Sequence, residues 1–172
     1  MTHLVPHSQD TFLRTTIILC YDTKKEGVGC MSKFDNVTPP KQFAQHHKTI
    51  LVLRHYEFTA DARIFLSETA HHDLKDNRYL IDIELWSKTD DLGMAVDFRI
   101  IDNIYKTHLK PKLDGQLLNE TLPDMNITLE NLIYWFWDTL SAHLPEDVSL
   151  NAITMYETPE QGVRFTRDIM AQ

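Results

Sequence analysis

Four side chains of the kinds that bind metal ions lie close together in this sequence: Asp61, His71, His72 and Asp73. Imidazole and carboxylate groups are common ligands of zinc and other divalent metals. His71 and His72 are adjacent, however, and adjacent residues of a strand point to opposite faces, so the two rings would not readily share one ion. One interpretation is a site that combines either histidine with Asp61 or Asp73. The interpretation that we favour is a pair of solvent-exposed loop histidines.

Glu157 is a second candidate functional residue, because its carboxylate follows an apolar run. Ile153 and Met155 share its side of a predicted strand, so its carboxylate should emerge at the rim of an apolar pocket. A carboxylate accepts two parallel N–H bonds from an amidine-like edge, as it does from a guanidinium group. Glu157 is therefore either a ring-binding group or a surface glutamate that ends a strand before Pro159.

Hydrophobic periodicity predicts the elements that would position these residues. Alternating and β-branched segments predict four strands, and helical spacing predicts two helices, in the order ββααββ. The predicted elements are the strands Lys48–Phe58, Tyr79–Trp86, Val148–Glu157 and Val163–Thr166, the helix Asp97–Lys110, and a helix that begins after Thr128 and ends before Pro145. Thr128 is a suitable N-cap, with Glu130 in the first turn. The pattern predicts an α+β fold in which two helices cover one face of an antiparallel sheet.

Six short segments carry a resemblance to a known family. In chain order they are Phe58–Ala62, Lys75–Tyr79, Gly93–Phe98, Leu113–Gly115, Thr128–Asn131 and Glu157–Thr158. Together they resemble the 6-pyruvoyl-tetrahydropterin synthase / 6-carboxytetrahydropterin synthase family, whose pattern runs F-x-A-x-H, C-x-x-L-H-G-H-N-Y, G-M-V-x-D-F, L-D-H, P-T-x-E-N and E-T. The resemblance implies the tunnelling fold, or T-fold, in which strands of several subunits close into an oligomeric barrel.

Three histidines hold a zinc ion in the resembled family, and the matching positions here are Ala62, Lys75 and Asn77. Alanine offers no ligand atom, a protonated lysine has no lone pair and repels a cation, and an amide oxygen is a weak zinc ligand. We therefore expect no zinc and no other cofactor. Lys75 either places a positive charge in the emptied pocket, where it neutralises Asp61, Asp76 or a ligand oxyanion, or is a product of drift after the metal site lost its function.

The other matched positions are divided between catalysis and recognition. Asp114 matches the aspartate of a proton-transferring Asp–His pair, but Gly115 stands where the histidine belongs. Asp114 is therefore either a weak catalytic candidate or a turn residue. Glu157 matches the glutamate that, in the family, grips the 2-amino-4-oxo edge of a pterin, and Thr158 and Thr128 match ligand-binding positions beside it.

These matches support three hypotheses about function. The leading one is a pterin synthase-like protein with a degenerate active site, which binds a pterin- or purine-like ligand without zinc catalysis. The second is an active lyase of the 6-carboxytetrahydropterin synthase type, acting on 7,8-dihydroneopterin triphosphate in the queuosine pathway, or a metal-free aldolase or epimerase. A triphosphate would need several cations, and the chain offers mainly Arg63, Lys75 and Arg78. The third is a non-catalytic assembly partner of a zinc-bearing paralogue, as a homo-oligomer or hetero-oligomer.

Composition and the N-terminal region set further limits. The net charge of −8 argues against binding to nucleic acid or anionic membranes, and no apolar run is long enough to span a bilayer, so we expect a cytoplasmic protein. Cys20 and Cys30 are expected to be unpaired. Residues 1–48 are predicted to be a flexible extension and residues 49–172 the T-fold domain. Residues 1–30 are either a native tail or a translated leader, because the codons before Met31 can encode a ribosome-binding sequence.

Overall fold

The computed structural model describes residues 32–43 and 46–171. The predictions for Cys20, Cys30 and a start at Met31 lie outside these residues. The chain falls into two compact units, Met1–Pro39 and Pro40–Gln172. In the described part of the first unit, Asp35 accepts a hydrogen bond from the backbone N–H of Ser32 at 2.9 Å and closes a turn. Among the described residues, the second unit holds all of the strands and helices.

Four antiparallel strands form one sheet in the order β1-β2-β3-β4. They are β1 (Thr49–Phe65), β2 (His71–Lys88), β3 (Val148–Thr158) and β4 (Gln161–Thr166). The predicted architecture is confirmed, but β1 and β2 are longer than predicted. Their extra residues, near 59–65 and 71–78, are mostly polar or small and therefore lack the alternation that predicts a half-buried strand. The histidines predicted to lie in a loop are the first two residues of β2, where both are exposed.

The helical segments lie in the connection between β2 and β3 and at the C-terminus. They are α1 (Phe98–Ile104), a π-helical turn (Tyr105–Leu109), α2 (Lys110–Leu113), α3 (Leu118–Thr121), α4 (Leu129–Ser141) and α5 (Arg167–Met170). Thr128 caps α4 as predicted, by accepting from the Asn131 N–H at 3.3 Å. The predicted helix through Lys110 is wrong as a continuous α-helix, because Pro111 cannot donate to the carbonyl of Thr107 and its ring crowds that carbonyl.

The core lies between the helices and one face of the sheet. The odd-numbered residues of β2 from Tyr79 to Leu85 are at most 2% exposed, which is the alternation expected when one face of a strand is covered. The facing side chains of α4 are Leu132, Ile133, Phe136, Trp137 and Leu140. Burial of this apolar face supplies most of the stability of a helix of this length.

A polar cluster fastens α1 to β1 at the edge of this core. The Asp102 carboxylate accepts from Arg54 Nε at 2.8 Å and Nη2 at 2.6 Å, and from the Tyr56 hydroxyl at 2.8 Å. Burial alone would raise the pKa of Asp102, but the hydrogen bonds from Arg54 and Tyr56 outweigh it and hold that pKa below its ordinary value. The Tyr56 ring in turn stacks on Tyr105, with 4.0 Å between ring centroids.

The outer edge of β1 is half covered. From Thr59 to Phe65 the loop after α2 and two asparagine side chains replace a neighbouring strand. Asn119 binds both the N–H (2.7 Å) and the C=O (2.9 Å) of Arg63, and Asn126 binds both groups of Phe65 at 2.8 Å. From Thr49 to Glu57 no strand in the described residues pairs with this edge. The outer edge of β1 therefore has hydrogen-bond partners only in the half that lies nearest the matched family positions.

Candidate functional site

A β-bulge interrupts the β1–β2 pairing at the first matched positions. Ala60 pairs with Asn77 and Ala62 pairs with Leu74, so Asp61 faces two residues, Lys75 and Asp76. Asp76 has φ +48°, a left-handed conformation that aspartate tolerates better than most residues. The Asp61 carboxylate accepts from the Asp76 N–H at 2.8 Å and fixes this turn of the backbone. Bulges commonly re-aim side chains beside active sites.

A second bulge carries Glu157. Tyr156 pairs with Gly162 and Thr158 pairs with Gln161, so Glu157 is the extra residue of β3. The pairing requires glycine at position 162, because a Cβ there would lie 2.6 Å from the carbonyl oxygen of Met155. Since β3 pairs with β2 through Leu80 and Tyr156, both bulges lie at the same end of the sheet. We call Asp61, Lys75–Asn77 and Glu157 the bulged end.

Tyr79 connects the two bulges. The tyrosine is 2% exposed and stacks on Phe58, with ring centroids 4.8 Å apart. Burial raises the pKa of Tyr79 to about 12, and the Glu157 carboxylate acts in the same direction. Asn77 and Tyr79 lie two residues apart on β2, so their side chains share one face of the strand. Ile153 and Met155 are fully buried, so both belong to the core, and the apolar pocket expected beside Glu157 stays a prediction.

Two polar groups of the bulged end lack partners within the described residues. The Asn77 Nδ2 atom is buried without a hydrogen-bond acceptor. The Glu157 carboxylate is partly buried and forms neither a hydrogen bond nor an ion pair with any residue in 32–43 or 46–171. The buried Asn77 donor costs about 1–3 kcal/mol while it has no partner, so it calls for an explanation, and a bound ligand is one. Glu157 is only partly buried, so the same cost does not apply to its carboxylate.

Two cavities adjoin the first bulge. A cavity of about 390 Å³ is lined on one side by Ala62 and Lys75 and on the other by Leu117 and Asn119. A smaller cavity of about 210 Å³ lies beside Asp61 and includes Asp76, Asp114 and Gly115 in its lining. Asp61 contributes to the lining of both cavities, and we call their combined lining the concave region around the first bulge.

Comparison with known proteins identifies the group to which this site belongs. A family model described as 6-pyruvoyl tetrahydropterin synthase matches residues 52–168, which include both bulges and all the positions considered above. The chain belongs to the 6-pyruvoyl tetrahydropterin synthase family. The predicted family resemblance is therefore confirmed.

Individual relatives of this family agree in extent. The chain is 27% identical over 127 residues to the 6-carboxy-5,6,7,8-tetrahydropterin synthases of Rickettsia conorii and Rickettsia felis, a match that covers 62% of this chain and 92% of each relative. The solved 6-pyruvoyl tetrahydropterin synthase of Caenorhabditis elegans is similar in fold, with a TM-score of 0.59, 18% identity, and coverage of 70% of this chain and 96% of that one. A catalytic-residue mutant of the Plasmodium vivax 6-pyruvoyltetrahydropterin synthase has a TM-score of 0.54 at 14% identity and covers 70% and 98% of the two chains. These structural likenesses show the T-fold.

The three positions that match the family's zinc ligands do not suit a zinc ion here. Ala62 is 2% exposed and has no ligand atom, Lys75 is exposed and its ammonium has no lone pair, and the buried atom of Asn77 is an amide nitrogen, which donates. The described residues contain no group of three His, Cys, Asp or Glu side chains arranged to hold a metal, and the alternative site with His71 or His72 stays a prediction. The donor set thus disagrees with the family's zinc chemistry.

Asp114 lies at the site but its oxygens are engaged. It ends α2, accepts from the Thr59 N–H at 3.2 Å, and pairs with Lys110 at 3.4 Å. Gly115 has φ +71°, and its N–H donates to the Thr59 carbonyl at 2.7 Å. The aspartate therefore anchors a turn against β1, which is one of the two roles that its sequence context predicts.

The two matched threonines have local structural roles. Thr128 accepts the capping bond of α4, and the Thr158 hydroxyl accepts from the N–H groups of Glu160 (3.3 Å) and Gln161 (3.2 Å) in the turn between β3 and β4. Lys75 is exposed and lines the larger cavity beside Ala62, and it forms no ion pair with Asp61 or Asp76. Its role in the emptied pocket stays a prediction.

Sequence reasoning misses three groups that build this site. The alternation of β2 places Tyr79 only in the core, although the tyrosine also connects Glu157 with Asn77. Asn119 and Asn126 carry no signal, because asparagines that bind distant backbone groups leave no local pattern.

None of the helices in the described ranges is long and apolar enough to cross a membrane.

Proposed function

We propose that this protein is a catalytically degenerate member of its family that binds a pterin- or purine-like ring without zinc catalysis. The observation that carries the proposal is the unpartnered, partly buried carboxylate of Glu157 beside the buried Tyr79. The edge of a 2-amino-4-oxo ring presents two parallel N–H donors, which suit a carboxylate, while an apolar floor suits the ring.

The proposed loss of zinc chemistry rests on the residues that replace the ligands. Ala62, Lys75 and Asn77 supply no imidazole, and Gly115 supplies no general acid or base beside Asp114. An aspartate held by a backbone N–H and by Lys110 serves better as a turn anchor than as a proton carrier. What this chain's residues can do is bind and orient a ring.

The test is a metal analysis combined with calorimetry on the full chain. We expect less than stoichiometric zinc, and binding of 7,8-dihydroneopterin or guanine that is weakened at least about tenfold by Glu157→Gln, because the amide replaces one acceptor with a donor. Glu160→Gln, three residues along on the exposed turn, is the matched control and should bind as the wild type does. Stoichiometric zinc would favour the lyase, and ring binding that is unchanged in Glu157→Gln would remove the proposed role of Glu157.

A second candidate function, assembly, is favoured by the free strand edges. β1 is unpaired from Thr49 to Glu57 and β4 has no outer neighbour within the described residues, and Leu53 on β1 is 65% exposed. Unpaired edges are templates for strands of another subunit. We propose a homo-oligomer, or a hetero-oligomer with a zinc-bearing paralogue, in the cytoplasm. Light scattering that gave a monomer both alone and with the paralogue would contradict it.

A further inference from the structure

The concave region around the first bulge carries an excess of negative charge. Its charged lining residues are Asp61, Asp73, Asp76, Asp114, Glu120, Arg63 and Lys75. Carboxylates thus outnumber cations by three. Glu157, on the neighbouring bulge, adds a further carboxylate without a partner among the described residues. Clefts lined by charge of one sign attract ligands of the opposite sign and repel those of the same sign.

Of the two cations that line this region, Arg63 is paired and Lys75 is not. Arg63 donates from Nε and Nη2 to the two carboxylate oxygens of Asp73 at 2.6 and 2.8 Å, and these bonds hold the pKa of Asp73 below its usual value. Arg78 is paired with Glu57, and it lowers the pKa of that carboxyl. Lys75 alone has no carboxylate within ion-pair distance in the described residues.

The backbone of the bulge is also unavailable to an anion. Turns with a left-handed residue often present N–H groups to phosphate. Here the N–H of Asp76 donates to the Asp61 carboxylate at 2.8 Å, so an internal anion already occupies the position that a phosphate oxygen would take. Phosphate sites rely on arginine forks, lysines and free N–H groups. Of these groups, the concave region offers one exposed lysine, Lys75.

We propose that the pocket selects an unphosphorylated ligand, namely a neutral 2-amino-4-oxo bicyclic ring or its hydroxyalkyl derivative, and rejects the corresponding triphosphate. The inference rests on the proposed function, because it places the ring against Glu157. A side chain that extends from such a ring toward the first bulge enters a region lined by Asp61, Asp76 and Glu120, where Lys75 is the lining cation without an ion pair among the described residues. Hydroxyl groups can donate to these carboxylates, whereas phosphates are repelled by them.

The experiment compares 7,8-dihydroneopterin with 7,8-dihydroneopterin triphosphate by calorimetry on the full chain. A chelator keeps divalent cations from neutralising the phosphates. We expect the unphosphorylated compound to bind at least about tenfold more tightly at about 0.05 M salt, and the difference to shrink at about 0.5 M salt, where charges are screened beyond about 4 Å. Equal or tighter binding of the triphosphate would overturn the inference and leave ring binding intact. Failure of both compounds to bind would overturn the proposed function and this inference with it.

Charge variants separate electrostatic selection from shape. In the double variant Asp61→Asn and Glu120→Gln, the affinity for the triphosphate relative to that for 7,8-dihydroneopterin should rise by about tenfold, because two charges that repel the phosphates are lost. The Asp61→Asn change keeps a side-chain oxygen that can accept from the Asp76 N–H, so the bulge is preserved. Asp138→Asn on the exposed side of α4 removes a charge from a different part of the chain and serves as the control. A selectivity ratio that is unchanged in the double variant would overturn the electrostatic basis of the proposal.

Discussion

The helix-covered face of the sheet and the bulged end differ in how completely their polar groups are satisfied. On the covered face, the carboxylate of Asp102 receives three hydrogen bonds from Arg54 and Tyr56. At the bulged end, the Glu157 carboxylate accepts no hydrogen bond and the Asn77 Nδ2 atom donates none among the described residues. Unsatisfied groups destabilise a folded chain, so their concentration in one place indicates that this place is shaped for something other than stability.

The two regions also differ in how many residue types can replace one another without loss of their role. The fold of the family is kept at 27% identity to curated relatives because a core accepts many apolar side chains of suitable volume. A metal site accepts very few ligand types, and the three matched positions here are Ala62, Lys75 and Asn77. The difference teaches that the sheet and helices set the fold, while the identity of the bulged end sets the chemistry.

The largest expected effect is on the covered face. Leu132 on α4 is 1% exposed, so Leu132→Ala should lower the free energy of unfolding by about 3 kcal/mol through lost burial and a residual cavity. Urea denaturation monitored by circular dichroism measures it. Leu66→Ala, at a residue 73% exposed near the bulged end, should change stability by less than about 0.5 kcal/mol. Equal losses of unfolding free energy in the two variants would contradict the expected difference between the two regions.

The next effect tests the polar anchor of the covered face. Asp102→Asn should lower the free energy of unfolding by about 2 kcal/mol at neutral pH, because charged hydrogen bonds to Arg54 are lost. The pKa of Asp102 is lower in the folded than in the unfolded state, where it is about 3.9. The contribution of Asp102 to stability is therefore present above the unfolded pKa and disappears as pH falls through the folded pKa. The wild type and variant should therefore converge in stability at acidic pH. A difference that persists there would contradict the assignment.

A smaller effect of opposite sign is expected at the bulged end. Asn77→Leu removes a buried donor without a partner and should raise the free energy of unfolding by about 1 kcal/mol, while it weakens ring binding. Asn151→Leu is the matched control, since the Asn151 Nδ2 atom donates to Glu84 at 2.8 Å and its loss should destabilise. Thermal unfolding and calorimetry report the two properties separately. A destabilised Asn77→Leu variant would show that this amide serves stability after all.

The smallest effect concerns the backbone of the bulge. Asp76→Gly relieves a left-handed conformation and should stabilise by about 0.5 kcal/mol, because glycine adopts positive φ without steric cost. Gly115→Ala makes the reverse change at φ +71° and should destabilise by about 1 kcal/mol. Thermal melts measure both. A destabilising Asp76→Gly change would mean that the aspartate side chain supports the turn.

The fold was predictable from sequence because its signals are local. The alternation of Tyr79–Leu85 and the cap at Thr128 each lie within a few residues, and both are confirmed. The strand ends were not predictable, because residues 59–65 and 71–78 are held by distant groups such as Asn119 and Asn126. The break at the π-helical turn depends on Pro111, which lies well beyond the first turns of the helical pattern that begins near Asp97.

The site was predictable in its members but not in its geometry. The matched positions Ala62, Lys75, Asn77 and Glu157 were identified from order and spacing, yet nothing in the sequence indicates that Asp61 and Glu157 sit at bulges. A bulge is a property of two strands in register, so one strand's sequence does not specify it. The ion pair between Arg63 and Asp73 likewise depends on the register of β1 against β2, which neither strand's sequence specifies alone.

The asparagine contacts along β1 have a consequence for the order of folding. Asn119 and Asn126 reach backbone groups 56 and 61 residues away, whereas the β1–β2 hairpin closes over a short turn. Loop-closure entropy delays distant contacts, so the hairpin should form first and expose the Thr59–Phe65 edge until the later segment arrives. During that interval the edge can pair with another chain. Nascent protein should therefore be most prone to aggregate before residue 126 has been synthesised and docked.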